Sequence, residues 1–231
     1  MEPSTHKINY YFIKTAGLLS IFAGILSLSA VFYVVVVLNH LGLSISIFED
    51  TKALLKWIYM NQLAYSILWL HYAFAATIMI PVPGATSHLF RSSSGRSSSF
   101  AKASNLIGSC GFFLMIISAI IFYSVSPITS RAFANGLAQT EFINEIFASL
   151  AMQFRLYGEF LVGIWLLGVS VYQIRKNRID MLGWFLLFIF SVCSIVSIAK
   201  SFNLFDFEPF LGILLAIAYI WLGISIRKKI N

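Results

Sequence analysis

Six long apolar runs dominate this sequence, and each is long enough to cross a lipid bilayer as a helix. The hydrocarbon core of a bilayer is crossed by about 20 apolar residues in an α-helix. The runs cover roughly 15–38, 57–80, 106–125, 156–174, 181–199 and 210–226. Because backbone polar groups inside a bilayer must be paired within their own segment, such runs predict helices. We therefore predict an all-α, polytopic membrane protein with a six-helix transmembrane bundle, forming a single transmembrane domain over 1–231.

The composition excludes an ordinary soluble domain. Hydrophobic residues make up 59% of the chain and charged residues 11%, and the mean hydropathy is +0.85. Soluble domains carry about 25% charged residues. The lipid bilayer is therefore the predicted partner of most of this surface. The net charge of +7 does not predict nucleic-acid binding, because the basic residues lie in short clusters between the apolar runs and form no continuous patch.

Basic residues are distributed unequally between the two sides of the predicted membrane. Eleven Lys and Arg residues fall on the side of the termini and five on the other side. Because cytoplasmic loops are enriched in Lys and Arg, we predict a multi-pass protein of the cell membrane with both termini in the cytoplasm. The first run follows Lys7 and Lys14 as in a signal peptide, but its apolar core is too long, so we expect it to be retained as a helix.

Two connections between the runs are longer than turns. The cytoplasmic one, 85–104, is rich in Ser with interspersed Arg and Gly, which is typical of a flexible linker; a phosphorylation site or a contact with lipid headgroups is the alternative. The outer one, 126–154, has apolar residues at helical spacing after residue 141, with Glu141 and Glu145 on the opposite face. This pattern predicts an extra amphipathic helix between the third and fourth spans, which we expect to cover the bundle as a lid.

Small residues follow one face of the first run and one face of the sixth. They are Gly17, Ser20, Gly24 and Ser27 in the first run, and Gly212, Ala216 and Gly223 in the sixth. Such seams let helix backbones approach closely inside a membrane, where no hydrophobic effect drives helices together. We interpret both seams as packing surfaces.

One charged pair lies in the fourth run. Arg155 and Glu159 are four residues apart and therefore share one face of a helix. A charge in hydrocarbon is costly, so we expect the two side chains to pair and to face the bundle interior or the outer headgroups. Two interpretations stay open. Glu159 could bind a proton or a cation with Arg155 as its tuning partner, or the pair could hold the end of the helix at the interface.

The second run carries the other polar candidates, Asn61, Gln62 and His71, together with Tyr65 and Trp69. His71 falls near the middle of the bilayer, where a histidine is uncommon and can relay protons or bind a haem or a pigment. The other three histidines lie at or beyond a membrane boundary, which disfavours a haem with two histidine ligands. Pigment binding by His71 alone stays open, beside a structural role for a hydrogen-bonded, neutral histidine.

The sequence predicts no cofactor and no metal. Cys110 and Cys193 lie in separate runs and form no CxxC pair, and no hydrolase, metalloprotease or phosphate-loop motif occurs. We therefore favour a non-enzymatic protein: a transporter-like or sensory bundle, or an accessory subunit with membrane-protein partners or a second copy. The alternative is an intramembrane enzyme or a cofactor-binding subunit that uses His71 and the Arg155–Glu159 pair.

Several stretches carry a resemblance to a known family. They are Gln153-Phe-Arg155-Leu-Tyr-Gly-Glu159-Phe-Leu-Val-Gly-Ile-Trp-Leu-Leu-Gly, the basic turn Arg175-Lys-Asn-Arg178, Leu182-Gly-Trp184, the closing Glu208-Pro-Phe and Ile220-Trp221-Leu-Gly, and the Thr15-Ala-Gly17 stretch of the first run. In these stretches the chain resembles the prokaryotic six-helix membrane proteins of the domain of unknown function 4386 family. The resemblance implies six spans over most of the chain, and it implies no activity.

Overall fold

The computed structural model describes residues 3–89, 99–175, 188, 192 and 208–228, and among these it contains helices and no strand. The helices are α1 (Pro3–Phe32, continued by a π-helical turn over Tyr33–Leu38), α2 (Ile45–Glu49), α3 (Thr51–Met60), α4 (Gln62–Met79), α5 (Pro81–Leu89), α6 (Ser99–Ala134), α7 (Thr140–Arg175) and α8 (Glu208–Lys228). The predicted all-α class is confirmed.

Four stretches of the described helices are long and apolar enough to cross a membrane. They are Tyr10–Leu38, Gln62–Thr86, Lys102–Ala134 and Thr140–Ser170. They contain most of the first, second, third and fourth predicted spans. The sixth predicted span forms α8. The fifth, 181–199, lies outside the described residues except for Phe188 and Val192, so the total of six spans stays a prediction.

The two small-residue seams face each other between α1 and α8. A Cβ atom added to Gly24 would lie 2.6 Å from the carbonyl oxygen of Ala216, and one added to Gly17 would lie 3.1 Å from that of Gly223. The Ser20 hydroxyl donates a hydrogen bond of 2.7 Å to the carbonyl oxygen of Tyr219. Because only small residues allow this approach, the seams set how closely the two helices pack.

A second close contact joins α6 and α7. Gly111 and Gly158 face each other: a Cβ atom on either glycine would lie 2.8 Å from the carbonyl oxygen of the other. Towards the α7 C-terminus, Trp165 is fully buried against Gly108. Helix α4 packs against α6, since Tyr65 donates to Ser126 at 3.1 Å. These contacts place α4, α6 and α7 around a common interior.

The second predicted span differs from the structure at both ends. Helix α3 ends at Met60, and Asn61 adopts a non-helical conformation (φ −124°, ψ 35°) before α4 begins at Gln62. At the other end α4 stops at Met79, before the proline-rich stretch as expected, but α5 begins directly at Pro81. Proline suits the first turn of a helix, because the missing N–H would have no partner there.

The third predicted span was expected to end before Pro127, but the helix does not end there. Helix α6 continues through Pro127 to Ala134. Two hydroxyl groups follow the proline: Ser130 donates to the Pro127 carbonyl at 2.9 Å, and Thr129 donates to Asn144 of α7 at 2.9 Å. A proline removes the helical hydrogen bond to the carbonyl four residues earlier, that of Tyr123, and α6 is continuous in spite of this loss.

The predicted amphipathic segment is not a separate helix. It forms the first turns of α7, which runs without interruption from Thr140 to Arg175, because no Gly or Pro occurs between Thr140 and Tyr157. One polar residue of the segment packs inward: Asn144 is buried and accepts a hydrogen bond of 2.9 Å from Thr129, whereas Glu145, Ser149 and Gln153 are exposed.

The apolar face of this segment points outward. Its exposed side chains are Phe142, Ile143, Ile146, Phe147 and Leu150. A lid would bury these apolar side chains against the bundle. They are exposed instead, as are the polar Glu145 and Ser149, so the segment does not pack its apolar face onto the described part of the bundle.

Candidate functional site

A buried carboxylate joins α4 to α7. Glu159 on α7 is 4% exposed, and its Oε1 atom accepts two hydrogen bonds. The Tyr72 hydroxyl on α4 donates one at 3.0 Å, and Nε of Arg155, one turn earlier on α7, donates the other at 3.0 Å. The predicted pairing of Arg155 with Glu159 is therefore present as a short, charge-assisted contact.

Arg155 contacts the ring of the same tyrosine. Its Cζ atom lies 5.2 Å from the centroid of the Tyr72 ring, a distance at which a cation is attracted to the ring face. The side chains of Arg155 and Glu159 are 16% and 6% exposed. Tyr72 thus binds both members of the ion pair, the anion through its hydroxyl and the cation through its ring. We call Tyr72, Arg155 and Glu159 the polar cluster.

The polar cluster lies half-way along the apolar helices. The two apolar stretches that contain it, Gln62–Thr86 and Thr140–Ser170, have their midpoints at residues 74 and 155. Each residue advances a helix by about 1.5 Å, so the cluster is within about 6 Å of these midpoints along the helix axis. Because α7 begins at Thr140, Arg155 and Glu159 are not at a helix end. They face the interior of the bundle.

Aromatic side chains extend the cluster along α4. The Trp69 ring stacks on Phe122 of α6, with centroids 4.1 Å apart and an interplanar angle of 15°. Its edge contacts Tyr72 at 6.1 Å and Tyr65 at 6.1 Å. Trp69 is 6% exposed, and its indole N–H is close to the Tyr65 hydroxyl.

His71 belongs to a different contact. Its Nδ1 atom lies 2.8 Å from the Ile67 carbonyl oxygen, one turn earlier in α4, and its ring stacks on Tyr33 of α1 with centroids 6.0 Å apart. Tyr33 in turn donates to the Ala64 carbonyl at 3.1 Å. The described contacts therefore place His71 between α4 and α1, whereas Tyr72 bridges α4 and α7.

Asn61 and Gln62 lie where α3 ends and α4 begins. The Asn61 side chain donates to the Trp57 carbonyl oxygen at 3.1 Å, which supplies a partner for a carbonyl at the end of α3. Gln62 is half-buried at the first position of α4. The described contacts connect neither residue with the polar cluster.

Tyr72 is the functional candidate that sequence reasoning missed. One tyrosine in an apolar run gives little signal, because tyrosine is common in membrane helices. A usable signal was the spacing of Tyr65, Trp69 and Tyr72, which places three hydrogen-bonding aromatic residues on one face of α4. That face is the one that meets α6 and α7.

The described residues include no group of three or more His, Cys, Asp or Glu side chains that could hold a metal ion. Comparisons of the chain with protein-family models, with curated proteins and with solved structures found no match.

Proposed function

We propose that this protein is a non-enzymatic, transporter-like membrane protein in which Glu159 binds and releases the coupling proton. The observation that carries the proposal is the geometry of the polar cluster. An almost fully buried carboxylate lies half-way along the helices and is bonded to side chains of two different helices. We further propose six spans, membership of the six-helix family that the sequence resembles, and cytoplasmic termini.

Stability alone gives little reason for such a cluster. A buried ion pair contributes about as much as well-packed apolar residues of the same volume, and often less. Ionisable residues inside membrane helices mark proton or substrate pathways. Protonation of Glu159 would change its hydrogen bond with Tyr72 and so the attachment of α4 to α7. This is the change that a coupled carrier needs, since it links proton binding to the contact between two helices.

The alternative, a cofactor-binding subunit or intramembrane enzyme, requires His71 to act with the charged pair. The described contacts give these residues separate neighbours, because His71 stacks on Tyr33 and Glu159 bonds Tyr72. A visible absorption spectrum of the purified protein distinguishes the two classes. A haem or pigment band that disappears in His71→Ala would favour the alternative.

The central test measures proton movement in liposomes that contain the purified protein and a trapped pH-sensitive dye. Anionic, cationic and neutral organic solutes are added in turn. We expect one class to drive proton movement, and Glu159→Gln to abolish it, because glutamine cannot carry the proton. Glu145→Gln is the matched control, since Glu145 is an exposed acid on the same helix. Proton movement that is equal in wild type and Glu159→Gln would refute the proposal, as would none with any solute class.

The proposed orientation makes a separate prediction. In a background without native cysteines, Glu49→Cys and Asn135→Cys should react with a membrane-impermeant maleimide added to intact cells. Ser94→Cys and Lys229→Cys should react only after the membrane is permeabilised, because the basic loops are expected in the cytoplasm. Labelling of the residue 94 cysteine in intact cells would invert the orientation.

A further inference from the structure

We propose that an anionic phospholipid binds in a groove between α1 and α8, with its phosphate between Lys14 and Arg227 and an acyl chain along the groove. The inference is independent of the proton site proposed at Glu159. It rests on how the seam between the first and the last described helix places basic and apolar side chains on one flank of the pair.

Lys14 and Arg227 lie at the same end of the seam. The seam contacts run in opposite order along the two helices, since Gly17 faces Gly223 and the later glycine of α1 faces an earlier residue of α8, so the helices are antiparallel. A Cβ atom added to Gly17 would lie 2.9 Å from Cγ of Arg227. Lys14 precedes Gly17 by three residues. Each helix therefore brings one cation to this end, within about one helical turn of the other along the axis.

This end of the seam lies at the boundary of the bilayer. Helix α8 has 21 residues, a length of about 31 Å, which matches the hydrocarbon core of a bilayer. Arg227 and Lys228 are its last two residues. Tyr10 and Tyr11 are exposed at the same end of α1, and aromatic residues of this kind are enriched at membrane interfaces. The cations therefore lie at the depth of the lipid phosphates.

No described carboxylate forms an ion pair with these cations. The ion pairs found in the described part of the chain join α3 to α7 and two residues within α7. Lys14 instead contacts an aromatic ring, since its Nζ atom lies 5.8 Å from the centroid of Tyr10. Arg227 is half-buried, because its stem packs against α1, and Lys228 is exposed. Cations grouped in this way at a membrane surface attract anionic lipid headgroups.

Exposed apolar side chains continue from the cations towards the middle of the bilayer. Leu18 and Ile25 follow Lys14 by four and eleven residues, so the three share one face of α1. Ile217 and Ile224 are seven residues apart and share one face of α8. These four apolar side chains are between 37% and 53% exposed. They form two apolar stripes, one on each helix.

The two stripes lie on the same flank of the helix pair. Leu18 and Ile25 each directly follow a glycine of the α1 seam, and Ile217 and Ile224 each directly follow a small residue of the α8 seam. One residue turns an α-helix by about 100°, which moves a side chain from the seam to the flank. In an antiparallel pair the same turn on each helix leads to the same flank. The stripes therefore line one groove, and Lys14 and Arg227 lie at its end.

The chemistry of this groove selects an anionic phospholipid. Ammonium and guanidinium groups donate hydrogen bonds to phosphate oxygens, and an acyl chain covers exposed apolar side chains. A zwitterionic lipid would bring its own cation next to those of the protein, which costs electrostatic energy. A soluble phosphate would leave the apolar stripes uncovered. The bound lipid contacts both helices and so stabilises their packing.

The test is thermal unfolding of the purified full chain in neutral detergent, titrated with phosphatidylglycerol or phosphatidylcholine of the same short acyl chains. We expect phosphatidylglycerol to raise the unfolding temperature with saturation, because a ligand that binds only the folded state stabilises it. Phosphatidylcholine should have a smaller effect, and glycerol phosphate, which lacks acyl chains, none. Equal effects of the two lipids would overturn the anionic class. An effect of glycerol phosphate equal to that of phosphatidylglycerol would overturn the lipid as the occupant.

Two substitutions locate the site. Lys14→Gln and Arg227→Gln should each weaken phosphatidylglycerol binding about fivefold, the usual contribution of one basic residue near a membrane surface. Glutamine keeps the Cγ atom that packs against Gly17, so the seam should stay intact, and the unfolding temperature without lipid verifies this. Lys56→Gln is the matched control, because Lys56 is an exposed lysine of α3 next to Trp57, which bonds the chain just beyond the other end of α1. If all three substitutions weaken binding equally, net charge attracts the lipid and the groove is refuted as its site.

Discussion

Replacing Glu159 by leucine is expected to lower the free energy of unfolding by about 3–5 kcal/mol, the loss typical of breaking a buried ion pair by removing one partner. The substitution leaves the guanidinium of Arg155, whose side chain is 16% exposed, without the carboxylate that its Nε contacts. It also removes the acceptor of the Tyr72 hydroxyl. Thermal and chemical unfolding in detergent measure the loss.

The stability of a double variant shows whether Arg155 and Glu159 act as an ion pair or as two independent charges. Arg155→Leu combined with Glu159→Leu should cost less than the worse single change, because no isolated charge then remains inside the bundle. The double-mutant cycle should therefore give a coupling energy of several kcal/mol. Additive losses near zero would contradict the buried pair and would leave proton binding as the remaining reason for Glu159.

A surface pair supplies the control for this cycle. Lys52 on α3 and Glu141 on α7 approach to 3.6 Å, but their side chains are 68% and 38% exposed. An exposed pair of this kind is worth at most about 1 kcal/mol. The same cycle with Lys52→Leu and Glu141→Leu should give a coupling energy within this limit. If both cycles gave the same value, burial would not be the cause of the coupling at Glu159.

The class of the fold could be predicted from the sequence because it depends on composition and on the length of the apolar runs. Helix ends could not, because they depend on contacts. Pro127 signals a helix end when read alone, yet α6 continues through it to Ala134. Segment 140–154 has the spacing of a separate surface helix, yet it continues directly into α7, and its Asn144 packs inward.

The candidate site could be predicted in part, for a similar reason. Arg155 and Glu159 are four residues apart, so their pairing follows from helix geometry alone. Tyr72 is 87 positions from Glu159 in the chain, and no local pattern connects them. The middle position of His71 in its run is the same in sequence and structure, but its nearest partners, Ile67 and Tyr33, depend on how α1 lies against α4.

The packing of α1 against α8 gives the second large expected effect. A Cβ atom at Gly223 would overlap the carbonyl oxygen of Gly17 and would lie 2.9 Å from the backbone nitrogen of Ile21. Backbone atoms cannot rotate away, so the two helices must separate. Gly223→Ala is therefore expected to destabilise the protein by about 1–3 kcal/mol, the usual range for overpacking. Gly24→Leu, on the facing seam, should cost at least as much, since the added side chain is larger.

Gly212→Ala on the same helix is the matched control for Gly223→Ala. Its Cβ atom would meet only the Val31 side chain, at 3.4 Å, which is an ordinary contact. Both substitutions gain the higher helix propensity of alanine, about 1 kcal/mol, so the difference between them isolates the steric overlap with α1. Thermal unfolding in detergent should show Gly212→Ala as stable as the wild type or more so, and Gly223→Ala as less stable. Equal stability of the two variants would mean that α1 and α8 do not pack through Gly223, because the overlap with the α1 backbone is expected at Gly223 and not at Gly212.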